Sequence, residues 1–140
     1  MRRLNEDIAV CLCGGLIYFY FEILFRGYSH YSMILCGGLC VYFVGYFGSI
    51  ILDSVKSKIK AMLLIMLFGS IIITSLEFVT GIIVNVIFDE RVWDYSLMKY
   101  NVMGQVCIGF SVLWAGLSPL CVAIDILIRK ILSEKTNQTW

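Results

Sequence analysis

Four long apolar stretches, separated by short polar segments, constrain this chain more than any other feature of it. A helix needs about 20 predominantly apolar residues to cross the hydrocarbon core of a bilayer. Residues 8–25, broken only by Glu22, and the uncharged 33–52 approach or reach that length. Residues 61–88 exceed it with one charge, Glu77, and 102–128 carry Pro119 near the middle and Asp125 near the end. Pro119 lacks an amide donor, which predicts a kink around Ser118–Pro119. The chain is 60% apolar with a mean hydropathy of +0.88, whereas soluble domains lie at roughly 45–50%. The sequence therefore predicts an all-α membrane protein, a compact bundle of four transmembrane helices forming one transmembrane domain over residues 1–140. No linker, internal repeat or soluble domain is left over.

Charge placement predicts the orientation. With four spans, the N-terminus, the 53–60 loop and the C-terminus share one side. That side carries Arg2, Arg3, Lys56, Lys58, Lys60, Arg129, Lys130 and Lys135, against Arg26, Arg91 and Lys99 opposite. Lys and Arg accumulate on the cytoplasmic side, so both termini are expected in the cytoplasm of a plasma (bacterial cytoplasmic-type) membrane. Arg2 and Arg3 before the first apolar stretch imitate a signal peptide. No small-x-small cleavage pattern follows, and Glu22 and Arg26 stand where cleavage would occur, which favours an uncleaved first helix. The sequon Asn137-Gln138-Thr139 then faces the cytoplasm and carries no meaning.

Several function classes drop out. A net charge of +1 gives nucleic acid nothing to bind. Cys11, Cys13, Cys36, Cys40, Cys107 and Cys121 lie in apolar stretches, and no His or acidic residue joins Cys36 and Cys40 at metal-ligand spacing. They read as small apolar residues with inert thiols, so no metal, cofactor or catalytic residue is assigned.

Polar residues inside the spans are more informative, because they mark helix contacts or sites. Ser70, Thr74, Glu77, Gly81 and Asn85 recur at spacings of three and four, making one stripe on the third helix. Gly104, Ser111, Ser118 and Asp125 recur every seven on the fourth, and Gly38, Gly45 and Ser49 on the second read similarly. Packing seams account for the Gly and Ser positions. They do not account for the carboxylates, each costing roughly 2.5–3.5 kcal/mol at mid-membrane on insertion scales. In the expected orientation, Glu22, Glu77, Asn85, Asn101 and Gln105 gather in the outer half of the bilayer, with Arg26 and His30 following Glu22 at steps of four. The inner half holds only Asp125 and a few hydroxyls. Two readings stay open: a structural network in which Glu22 pairs with Arg26, or a polar pocket open to the outer side. The run Trp93-Asp94-Tyr95-Ser96 is either a belt of interfacial anchors or a lid over that pocket; for Tyr100 the belt suffices.

The same residues carry a family resemblance. Glu22-x-x-x-Arg26-Gly27-x-Ser29-His30-x-Ser32-Met33, followed by Gly37-Gly38-x-Cys40, resembles the small membrane proteins described as putative type IV ABC transporters (CmpB-like). Glu77-x-x-x-Gly81-x-x-x-Asn85, Trp93-Asp94-Tyr95-Ser96 and Asn101-x-x-Gly104-Gln105 agree. The animal transmembrane protein 229 family is similar. Lys99 departs from the proline expected in that loop, which implies a looser or more charged lid. The resemblance implies a transport-related protein without naming a substrate.

No Gly-x-x-x-x-Gly-Lys-Ser/Thr loop is present, so energy for transport comes from a partner membrane protein or an ion gradient. Four short helices make a narrow bundle, which predicts a homo-oligomer surrounded by membrane lipids. The expected pocket comprises Glu22, Arg26, His30, Glu77, Asn85, Trp93, Asp94, Tyr95, Asn101 and Gln105. An intramembrane enzyme acting on a lipid or envelope intermediate is a second reading, since two carboxylates, Arg26 and His30 form an acid–base set. It has no nucleophile elbow, His-Glu-x-x-His or metal triad behind it. An accessory or scaffold protein using its small-residue seams is a third.

Overall fold

The computed structural model describes residues 4–137, with side chains described as far as Glu134. Arg2, Arg3, the side chains of Lys135 and Asn137, and Gln138 and Thr139 lie outside the described residues. Helix α1 spans Leu4–Arg26, α2 Ser32–Ser54 and α3 Lys58–Gly81, and α3 continues into a π-helical segment, Ile82–Ile87. Two short strands follow, β1 (Asn101–Val102) and β2 (Val106–Cys107), and then α4 (Ile108–Asn137). All four helices are long and apolar enough to cross a membrane.

Cross-links fix the two ends. Arg26, closing α1, donates to the Val92 carbonyl at 2.8 Å, and Arg129, late in α4, donates to Asp7 of α1 at 2.7 Å. The 27–31 turn and the 88–107 segment therefore share one end, the loop end. The first turn of α1, the C-terminal part of α4 and the 55–57 turn share the other, the terminal end. Gly27 ends α1 with a φ of +80°, its N–H reaching the Ile23 carbonyl at 2.8 Å; a left-handed residue here closes the last carbonyls. Ser57 starts α3, accepting from the Lys60 amide at 3.5 Å.

Helix α2 packs against all three other helices. Its glycines make that possible, because small residues let helix backbones approach where no water drives association. A Cβ at Gly38 would collide with the Cys11 carbonyl of α1, and one at Gly45 with the Asp125 side chain of α4. The core inside comprises Val44, Ile65, Ile73, Trp114 and Val122, and a smaller cluster of Met33, Val84, Val92 and Trp93 fills the loop end.

The fourth helix begins later than its hydropathy suggests. Residues 101–107 are apolar yet form a hairpin pairing Asn101 with Cys107 and Val102 with Val106. Gly104 takes a φ of +70° and Met103 one of +53°, which an α-helix cannot contain. The Asn101 side chain bonds the Gly104 amide at 3.0 Å and the Met98 carbonyl at 2.8 Å. Local side-chain bonding thus outcompetes the helix. Gly104 is a turn residue rather than the first member of the heptad stripe, and α4 runs from Ile108 through Pro119 to Asn137.

Candidate functional site

The α3 stripe forms a continuous seam along α4 and the hairpin. Ser70 donates to the Ser111 carbonyl at 2.6 Å and Thr74 to the Ser111 hydroxyl at 2.9 Å. A Cβ on Gly81 would lie 2.6 Å from Gln105 Oε1 and 3.1 Å from the Trp93 ring. Asn85 Nδ2 donates to Gln105 Oε1 at 2.8 Å, while its Oδ1 accepts from the Val92 amide at 2.7 Å. Asn85 sits in the π-helical segment, where the wider turn lets Phe88 bond the Ile83 carbonyl at 3.1 Å. Such turns concentrate at functional sites.

Glu77 is the deepest group of the loop end, 5% exposed. Its Oε1 accepts from the Tyr95 hydroxyl at 3.1 Å and its Oε2 from the Trp114 indole at 2.8 Å. Glu22, 7% exposed, accepts from Arg26 at 2.6 Å and from the Ser29 hydroxyl. Glu22 and Arg26 stand within electrostatic reach of Glu77. Arg26 also binds the Tyr28 hydroxyl at 2.9 Å, tying α1 to the loop. Tyr18 fills the space below, its ring 6.2 Å from that of Trp114.

The 88–107 segment closes over these groups. Trp93 is buried, its indole donating to the Gln105 carbonyl at 2.9 Å. Tyr95 stacks on Phe110 with ring centroids 4.7 Å apart while its hydroxyl reaches Glu77. Burial, and then the neighbouring Glu77, push the Tyr95 phenol well above the ordinary tyrosine range. The segment thus delivers one aromatic donor directly to the buried carboxylate.

The structure brings Glu22, Arg26, Glu77, Asn85, Trp93, Tyr95 and Gln105 to this end in two hydrogen-bonded groups, Glu22, Arg26, Asn85, Gln105 and Trp93 linked through the Val92 backbone, and Glu77 with Tyr95. Asp94, Asn101 and His30 serve local backbone instead. Asp94 is exposed and accepts from the Ser96 amide at 2.8 Å and from the Ser96 hydroxyl, which hold its carboxyl below the usual range. Asn101 staples the hairpin turn, and His30 Nδ1 lies 2.8 Å from the Ser32 hydroxyl at the start of α2. None of the ten lines the groove of about 490 Å³ on the α3–α4 flank. Among the described residues no group of three or more His, Cys, Asp or Glu could hold a metal ion.

Two parts of the site escape a reading of the sequence. Trp114, a donor to Glu77, reads as one more apolar residue, although it sits three after Ser111 and four before Ser118 on the buried stripe. The terminal end holds its own charged network. Arg129 donates to Asp125 at 3.0 Å and to Asp7 at 2.7 Å, and lies 3.6 Å from Glu6. Asp125 is fully buried. The spacing of four from Asp125 to Arg129 was the available signal; the partners in the first turn of α1 lie more than a hundred residues away and leave none.

Four spanning helices, knit by an inward polar seam and carrying buried carboxylates at both ends, define an integral membrane protein of the four-span helical class. The chain belongs to the family described as "Putative ABC-transporter type IV", whose model matches residues 8–140. No curated protein and no solved structure matches it.

Proposed function

We propose that this protein is a transport-related membrane protein that binds a small solute at the loop end, in a polar pocket formed by Glu22, Arg26, Glu77, Asn85 and Gln105. One observation carries the reading. The buried Glu77 carboxylate is capped by Tyr95, a residue of the connecting segment and not of a helix. A carboxylate needed only for packing could be satisfied from within the helices, as Trp114 does for the other oxygen. Withdrawing Tyr95 and the Asn85–Val92 bond would expose Glu77, Asn85 and Gln105 together to one side of the membrane. The 88–107 segment is then the lid.

The loop end is the extracytoplasmic end in this reading. Excluding Arg26 and Arg129, whose charges are paired, the basic residues among the described residues number five at the terminal end (Lys56, Lys58, Lys60, Lys130 and Lys135) and two at the loop end (Arg91 and Lys99). The positive-inside bias survives. The pathway needs more than one copy or a partner membrane protein, because Val44, Ile65, Ile73, Trp114 and Val122 pack together in the interior of the bundle.

Native mass spectrometry of protein released from nanodiscs tests the reading. A non-covalent small-molecule mass is expected on the wild type and absent from Glu77→Gln, which keeps shape and hydrogen bonding. A stoichiometric protein partner with no small molecule in either sample would overturn it in favour of a scaffold. Orientation is checked separately with an impermeant thiol reagent on Lys58→Cys and Lys99→Cys in a cysteine-free background. Labelling from opposite faces, Lys99→Cys from outside, is expected.

A further inference from the structure

The groove on the α3–α4 flank is distinct from the carboxylate cluster. It holds about 490 Å³, is open to the side, and is lined by residues including Ile71, Ser75, Phe78, Val79, Val102 and Val106. Residues 71–79 occupy the middle and loop-end portion of a 30-residue span (Lys58–Ile87). The groove therefore opens at hydrocarbon depth, where an acyl chain or another protein is the available filling. Its hydroxyls already have acceptors. Besides the Ser70 and Thr74 bonds to Ser111, Ser75 donates to the Ile71 carbonyl at 2.7 Å and Ser111 to the Cys107 carbonyl at 3.2 Å. A polar solute would find little to bond there, and an apolar chain would lose nothing.

The mouth of the groove supplies the second half of a lipid. Val102 lines it and belongs to a turn that presents apolar side chains outward: Leu97, Tyr100 and Met103 are each more than half exposed. Tyr100 and Met103 hold left-handed backbone, with φ of +54° and +53°. Such conformations cost on the order of 1–3 kcal/mol each and persist only where the surroundings impose them. Lys99, exposed and next to Tyr100 in the chain, supplies a cation to this stretch. An apolar rim with a cation at the membrane boundary matches the depth of phosphate head groups, where aromatic and basic residues anchor. We infer that the groove is a lipid site, which seats one acyl chain of a glycerophospholipid from the loop-end leaflet while Lys99 faces its phosphate.

Photo-crosslinking in nanodiscs tests this. The probe is phosphatidylcholine bearing a mid-chain diazirine, at low mole fraction in unlabelled phosphatidylcholine, with adducts mapped by mass spectrometry. The reference positions are Phe21, Leu24 and Phe25 of α1, exposed apolar residues at the same end. Adducts on Phe78, Val79 and Val102 are expected to exceed the reference roughly tenfold, the factor that ~1.4 kcal/mol of preference gives. Ser75→Trp, or Val79→Trp should the first misfold, fills the groove and is expected to bring the remaining positions down to the reference level. Labelling in proportion to exposure at all positions would mean bulk lipid only and overturn the proposal. Labelling of the groove below the reference would overturn it too, because a protein surface then covers it. So would a tryptophan variant that folds and leaves the pattern unchanged.

Discussion

Removing the Tyr95 hydroxyl isolates the bond between the connecting segment and the buried carboxylate. Tyr95→Phe keeps the ring, and with it the stack on Phe110 at 4.7 Å, and deletes only the donor to Glu77 Oε1. Glu77 is 5% exposed, so water cannot readily replace that donor. A buried acceptor left without a partner costs about 1–3 kcal/mol, whereas removal of both partners can be nearly neutral. The same substitution made in a Glu77→Leu background is therefore expected to cost close to nothing. The difference between the two, a coupling of about 1–3 kcal/mol, would exceed the average of about 0.6 kcal/mol found for bonds between membrane helices, because the site is enclosed from three directions. Reversible unfolding in bicelles, followed by circular dichroism, measures all four corners of this cycle. Equal losses in both backgrounds would refute the reasoning, since the hydroxyl's contribution would then not run through Glu77.

Other expectations follow from single features. Gly45→Leu should abolish folding, because a Cβ there already collides with Asp125, while Gly116→Leu should leave stability within about 0.5 kcal/mol, since a Cβ there meets nothing within 4 Å; thermal unfolding in detergent separates them. Arg129→Met removes the cation paired with the buried Asp125 and is expected to cost about 3–5 kcal/mol, with recovery in the Arg129→Met/Asp125→Asn double variant by the same assay. Tyr95 should fail to ionise in the ordinary tyrosine range. Its folded value is raised, so its contribution is complete below about pH 10, the unfolded value, and is lost as pH rises further, which an ultraviolet titration of wild type against Tyr95→Phe would show.

The spans were legible because hydrocarbon imposes length and apolarity on every helix that crosses it. The α3 stripe was legible for a related reason: Ser70, Thr74, Glu77, Gly81 and Asn85 break that rule at helical spacing, so they had to face protein. Each meets α4 or the hairpin. The boundary of α4 was hidden, because Val102, Val106 and Cys107 are as apolar as a helix start, and the Asn101 staple is invisible to hydropathy. Asp94, Asn101 and His30 look like site residues for a similar reason. A polar side chain at an interface has the same sequence signature whether it bonds a ligand or its own turn. Arg129 reads in the sequence as a loop cation, because two of the three carboxylates beside it, Glu6 and Asp7, come from the first turn of α1.

The two buried charged networks differ in a way that bears on where this protein can open. At the terminal end, the ion pairs join helix to helix: Arg129 and Asp125 lie on α4, Glu6 and Asp7 on α1. Separating them means pulling whole helices apart and taking the Arg129 cation away from Asp125 in a site with no exposure. At the loop end, the carboxylates lie on α1 and α3, but bonds from Tyr95 to Glu77, from Val92 to Asn85 and from Arg26 to Val92 run to a connecting segment. Each is a hydrogen bond worth about 0.5–3 kcal/mol net, and withdrawing the segment takes Val92 and Trp93 out of the small loop-end cluster while leaving the Val44–Ile65–Val122 core in place. Hydrogen exchange should therefore find the amides of 92–98 opening at lower free energy than those of α4 around Asp125. Equal protection at the two ends would place the moving part elsewhere.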